Sequence, residues 1–103
     1  MDKIAGLKEI LELDPKNSFA RYGLAMELAA RGETDAALSE FDTLLASDPG
    51  YTAGYFMAAQ TLTAAGRAPE AIARLRTGIE SAERSGNRHA AGEMQDMLDE
   101  LDR

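Results

Sequence analysis

The sequence predicts an all-α protein built from repeated helix pairs, and three observations support this prediction. Apolar residues recur at three- and four-residue spacing along most of the 103 residues, which is the period of an amphipathic helix. Valine is absent and isoleucine scarce, whereas alanine, leucine, glutamate and arginine are plentiful, which favours helix over sheet. Asp14-Pro15 recurs 34 residues later as Asp48-Pro49, and a fixed period of this length is typical of helical repeats.

The first two predicted helices are separated by a proline. Residues 2–13 carry an apolar stripe at helical spacing. The helix that they form ends before Pro15, because the residue preceding a proline avoids the helical region. The second helix begins near Ser18, with Asn17 as the competing N-cap, and runs to about Arg31. It is apolar around most of its circumference, which indicates a helix packed between neighbours.

The third helix follows after a short turn. Gly32 can adopt the left-handed conformation that ends the second helix. The third helix then begins at Glu33 or Thr34 and ends at Asp48-Pro49. So short a connection predicts that the two helices are antiparallel neighbours.

The pattern then restarts with a second helix pair. Thr52 is the expected N-cap of a helix over about 53–65, and Gly66 ends that helix. Pro69 lies at the start of the fifth helix, where its missing N–H has no consequence. Gly78 falls inside the fifth helix, where it disfavours helix, and we expect that it permits a close helix crossing.

The last predicted helix breaks the period. Ser85-Gly86-Asn87 takes the place of a third Asp-Pro pair, and a helix over about 88–102 follows. One face of this helix is apolar and the other is strongly acidic. Such a pattern is typical of a terminal helix that covers the last repeat and presents its charges to water.

These positions resemble the signature of the tetratricopeptide repeat family. The matching residues of the first full repeat are Leu24-Ala25, Leu28, Gly32, Ala37, Phe41 and Asp48-Pro49. Those of the second are Tyr55, Ala58-Ala59, Leu62, Gly66, Ala71 and Leu75. Arg21 departs from the pattern, because it lies where a large aromatic is expected, and Glu83 replaces the closing proline.

The resemblance implies a right-handed superhelical stack of antiparallel helix pairs. The expected organisation is one domain with a half-repeat at 1–17, full repeats at 18–51 and 52–85, and a C-terminal capping helix at 86–103. A generic bundle of helical hairpins is the alternative.

The resemblance also implies a concave face that binds another protein, lined by the first helix of each pair. The residues that this places on the concave face are Phe19, Tyr22, Met26, Phe56 and Gln60. A peptide or helix is the expected ligand. Alternatively, the large side chains among them belong to the core or lie under the terminal helix. No lysine follows Lys16, so we expect no lysine clamp for a terminal carboxylate, and Arg21 is interpreted as a solvated charge.

The expected function is therefore a non-enzymatic protein–protein interaction scaffold without a metal or cofactor. The alternative is a homodimer that assembles through the first helix, using Ile4, Leu7, Ile10 and Leu11. The net charge of −7 argues against nucleic acid as a partner. No apolar run suits a membrane span and no secretory signal is visible, so the expected location is the cytoplasm. Cysteine is absent, and His89 is interpreted as an exposed side chain.

Overall fold

The structure is a computed structural model that describes residues 2–103. About 80% of the chain is helical, and the described residues contain no strand, which confirms the all-α prediction. The helices are α1 (Lys3–Leu13), α2 (Ser18–Ala30), α3 (Thr34–Ser47), α4 (Thr52–Ala64), α5 (Ala68–Arg84) and α6 (Arg88–Leu101). None of these helices is long and apolar enough to cross a membrane.

Asparagines cap two of the helices. The side chain of Asn17 accepts a hydrogen bond from the Ala20 N–H at 2.9 Å, so Asn17 and not Ser18 is the N-cap of α2. Asn87 does the same for α6. The prediction that Thr52 caps α4 is wrong, because Tyr51 occupies the N-cap position and Thr52 is already helical. Its hydroxyl lies 3.3 Å from the Gly50 carbonyl oxygen, to which it donates.

Glycines with positive φ follow the ends of three helices: Gly86, with φ of +74°, after α5, and Gly32 and Gly66, as predicted, after α2 and α4. Gly32 has φ of +78° and Gly66 has φ of +76°, a conformation that other residues adopt only with strain. The N–H groups of the residues that follow them donate back to the Leu28 and Leu62 carbonyls, at 3.0 and 2.9 Å. These are the bonds of a Schellman motif, which satisfies carbonyls at the helix end and reverses the chain within a few residues.

The chain divides into two compact units, the first of which ends at Asp48. In this unit α2 packs against both α1 and α3. Phe41 and Leu44 of α3 are fully buried. The Tyr22 ring meets Phe41 edge to face, with ring centroids 6.5 Å apart, a favourable arrangement for two aromatic rings.

The second unit begins at Pro49, and in it α5 packs against both α4 and α6. The Pro49 carbonyl oxygen accepts hydrogen bonds from the Tyr55 hydroxyl at 2.6 Å and from the Ser81 hydroxyl at 2.8 Å. These bonds tie the start of the unit to α4 and α5.

Gly78 marks the point where α5 meets both of its neighbours. A Cβ atom added at Gly78 would lie 2.6 Å from the Tyr55 Cβ and 2.7 Å from the Met94 Sδ. Both distances are shorter than real contacts, so the absence of a side chain allows α4 and α6 to approach α5. The expected close crossing at this glycine is confirmed.

Candidate functional site

An open groove lies within the second unit, between α4 and α6, and we call it the α4–α6 groove. Its volume is about 730 Å³. Phe56 and Gln60 line it from α4, and Met97 lines it from α6. Phe56 and Gln60 are one helical turn apart and therefore share a face of α4. Phe56 and Met97 are half-buried and Gln60 is exposed, so the groove combines accessible apolar surface with a polar amide.

The α6 side of the groove carries most of its charge. Four carboxylates line it, those of Glu93, Asp96, Asp99 and Glu100. Their spacing of three and four residues places them along one side of α6. Arg103 is the one cation among the lining residues, so the groove has a net charge of −3.

Two of these carboxylates have a partner on α6 itself. Glu93 Oε1 lies 2.7 Å from His89 Nε2, and Asp99 Oδ1 accepts a hydrogen bond from the Gln95 amide at 2.9 Å. Within residues 2–103, Asp96 and Glu100 form no ion pair or side-chain hydrogen bond. In the same part of the chain, no three acidic, histidine or cysteine side chains converge as metal ligands would.

The other residues predicted to bind a partner lie in the first unit, on α2. Phe19 is 78% exposed, and Tyr22 and Met26 are half-buried. The Tyr22 ring packs edge to face against the ring of Phe41. Of the five residues predicted to bind a partner, three therefore lie on α2. The other two, Phe56 and Gln60, line the α4–α6 groove.

Arg21 is not the solvated charge that the sequence suggested. Its guanidinium forms a 2.6 Å ion pair with Glu40 of α3 and donates to the Pro15 carbonyl oxygen at 3.1 Å. Only 18% of the Arg21 side chain is exposed. The residue links the end of α1, α2 and α3, which explains why a polar residue is stable at a position where an aromatic was expected.

Two ion pairs outside the groove lower the pKa of the carboxyl group that takes part in each pair. The Arg31 guanidinium, which hydrogen-bonds to Asp2, holds the pKa of that carboxyl below its ordinary value. Arg67 lowers the pKa of Glu70 in the same way, through a bidentate contact. Both pairs are exposed, so they add little to stability at physiological salt.

Sequence reasoning missed the groove-lining role of the α6 carboxylates. The acidic face of the last helix was visible, but it was interpreted as a solvent-facing surface of a cap. The missing information was the position of α6 beside α4, which depends on how both helices pack on α5.

Comparison with known proteins identifies the family. The family model described as tetratricopeptide repeat matches residues 28–92, which is more than half of the chain. The chain belongs to the tetratricopeptide repeat family. This confirms the resemblance that the repeat positions suggested, and the matching solved structures confirm the fold class.

Similar tetratricopeptide proteins occur in several bacteria. A repeat-containing protein of Pseudomonas aeruginosa is 29% identical over 97% of this chain and 95% of its own length. A tetratricopeptide domain of Salinibacter ruber, solved by NMR, has a TM-score of 0.80 at 31% identity, covering 85% of this chain and 89% of that one. A Bordetella parapertussis protein has a TM-score of 0.85 at 25% identity, covering 100% and 90%.

The tetratricopeptide fold is generally a non-enzymatic protein-interaction fold. Two solved members match this chain in fold alone. The TPR2B domain of yeast Sti1 has a TM-score of 0.88 at 16% identity, covering 96% of this chain and 79% of that one. PcrH has a TM-score of 0.84 at 18% identity, covering 92% and 72%.

Proposed function

We propose that this tetratricopeptide chain is a non-enzymatic interaction module that binds a peptide or helix of a partner protein. The contact residues are Phe56 and Gln60 in the α4–α6 groove, and Phe19, Tyr22 and Met26 on α2. The partner is a segment of protein, because the groove is open and lined by both apolar and charged side chains rather than being a small enclosed pocket.

The observation that carries this proposal is the accessible apolar surface of the α4–α6 groove. Phe56 and Met97 keep part of their side chains exposed after α4 and α6 have packed on α5. Aromatic residues contribute much of the binding energy at protein interfaces, and methionine adapts to differently shaped ligands. The groove volume of about 730 Å³ suffices for a few partner side chains.

Two similar structures support the same kind of function. The Sti1 domain is in a complex with pHsp70, and PcrH is in a complex with the chaperone binding region of PopD. Those partners belong to those proteins. For this chain they support only the broader proposal that its fold holds a protein ligand.

Selection of peptides from a displayed random library tests the proposal. We expect the wild-type chain to select binding peptides. We expect Gln60→Arg to weaken them at least about tenfold, because the longer, charged side chain would project into the groove beside its carboxylates and compete with the ligand. Gln60 is exposed, so the variant should fold normally. Ala73→Arg is the matched control, since it adds the same charge at an exposed position of α5 outside the groove.

The proposal predicts that the control retains binding within about twofold. Failure to select any peptide would contradict it, as would undiminished binding by Gln60→Arg. Circular dichroism melts of both variants verify that each is folded.

Self-association is a second candidate function, favoured by the surface of α1. Ile10 is 44% exposed and Leu13 is 91% exposed, and the two share one face of α1. Leu11, which belonged to the predicted dimer edge, is buried instead. If self-association is the function, light scattering should show a dimer at micromolar concentration that Ile10→Glu dissociates; a monomer throughout would end this candidate.

A further inference from the structure

We infer that the α4–α6 groove takes a basic amphipathic segment of the partner. One apolar side chain would lie against Phe56 and Met97, and flanking lysines or arginines would pair with Asp96 and Glu100. This inference rests on the proposed function and adds the chemistry of the ligand.

The charge of the groove favours a basic ligand. Four carboxylates and one guanidinium line it, on a chain whose net charge is already −7. A cleft lined by one sign of charge concentrates counter-charged ligands and accelerates their association. A basic segment is therefore attracted to the groove, and an acidic segment or the phosphates of a nucleic acid are repelled from it.

The arrangement of Asp96 and Glu100 also favours a cation from the partner. They lie four residues apart on one face of α6, and like charges at this spacing repel each other and weaken a helix. No cation among residues 2–103 pairs with either of them. A lysine or arginine from a partner placed between the two would convert this repulsion into attraction.

The groove combines these charges with apolar surface, which suits an amphipathic segment. No three carboxylates converge as a metal site within residues 2–103, so the spacing suits an extended organic cation better than a metal ion. Phe56 and Met97 lie in the same groove. They can pack against a leucine-like side chain or the methylenes of a lysine, and an arginine can stack on the Phe56 ring.

Two synthetic peptides of about 14 residues test the inference, each with leucines at helical spacing. In one the intervening residues are lysines, and in the other they are glutamates. We expect fluorescence anisotropy to show that the lysine peptide binds at least about tenfold more tightly at low salt. This preference should shrink at about 0.3 M salt, because exposed charges are then screened.

The double variant Asp96→Asn/Glu100→Gln places the interaction in the groove. We expect it to weaken the lysine peptide about three- to tenfold, as is typical of losing two exposed ion pairs. Glu80→Gln/Glu83→Gln is the matched control, because it removes the same charge from exposed positions of α5 that do not line the groove. We expect less than about a twofold change from it.

Three results would overturn the inference: equal binding of the two peptides, an equal loss in the control variant, or no binding of the lysine peptide. The proposed function is judged separately by the displayed library. If the selected peptides contain no basic residues and Gln60→Arg weakens their binding, the inference fails and the proposed function stands. If the library also yields no peptides, both fail.

Discussion

Phe41→Ala should lower the free energy of unfolding by about 3–5 kcal/mol, the usual range for truncating a buried phenylalanine. The Phe41 side chain is fully buried, and its ring meets that of Tyr22 at an interplanar angle of 65°. The substitution removes buried apolar area and an aromatic pair, and it leaves a cavity. Because a domain has a stability of roughly 5–15 kcal/mol, this loss is a large fraction of the total.

Urea denaturation followed by circular dichroism measures this effect, and Phe19→Ala is its matched control. Phe19 carries the same side chain but is 78% exposed. We expect its truncation to change the free energy of unfolding by less than about 0.5 kcal/mol, as is usual for surface positions. Equal losses in the two variants would contradict the packing described here.

Gly78→Ala should destabilise the protein by about 1–2 kcal/mol, although alanine is the better helix former. Replacing an interior glycine by alanine normally gains about 1 kcal/mol of helix stability. Here the new methyl would lie 2.6 Å from the Tyr55 Cβ, an atom held close to the backbone of α4. The helices must separate to admit it, and overpacking of this kind typically costs about 1–3 kcal/mol.

Gly92→Ala is the control that isolates the crossing. Gly92 is also inside a helix, but a Cβ built there meets no atom within 4 Å. This variant should therefore gain about 0.5–1 kcal/mol, so the two glycine substitutions have opposite signs. Thermal melts of both variants provide the comparison, and a stabilising Gly78→Ala would show that the crossing is looser than described.

The helices were predictable because their signals are local. Pro15 ends α1 and Gly32 ends α2 through backbone restrictions that each residue carries in any context. The caps were less certain, since Asn17 and Ser18 are both good capping residues. Only the observed bond from the Ala20 N–H to Asn17 separates them.

Contacts between distant residues were not predictable in the same way. The ion pair between Arg21 and Glu40 joins residues 19 apart in sequence, and nothing local marks either as the partner of the other. The α4–α6 groove could not be predicted from local signals either. Its acidic side was visible as a charged face of α6, but the apolar side comes from Phe56, and only the packing on α5 brings the two together.

The acidic side of the groove changes how the proposed binding site should discriminate among ligands. Apolar contacts with Phe56 and Met97 would accept many peptides, since the flexible methionine adapts to differently shaped ligands. The carboxylates of α6 would then repel acidic segments and accelerate the approach of basic ones. Selectivity among ligands would therefore come from α6, and binding affinity would come from both helices.

The most direct test of the central claim is an NMR titration of the ¹⁵N-labelled chain with the leucine–lysine peptide. We expect the largest amide shift changes on α4 and α6, around Phe56, Gln60, Asp96 and Met97. Contacts between peptide leucines and the Phe56 ring should appear in the same complex. Shift changes centred on Ile10 and Leu13 of α1, or no localised change at saturating peptide, would contradict binding in the α4–α6 groove.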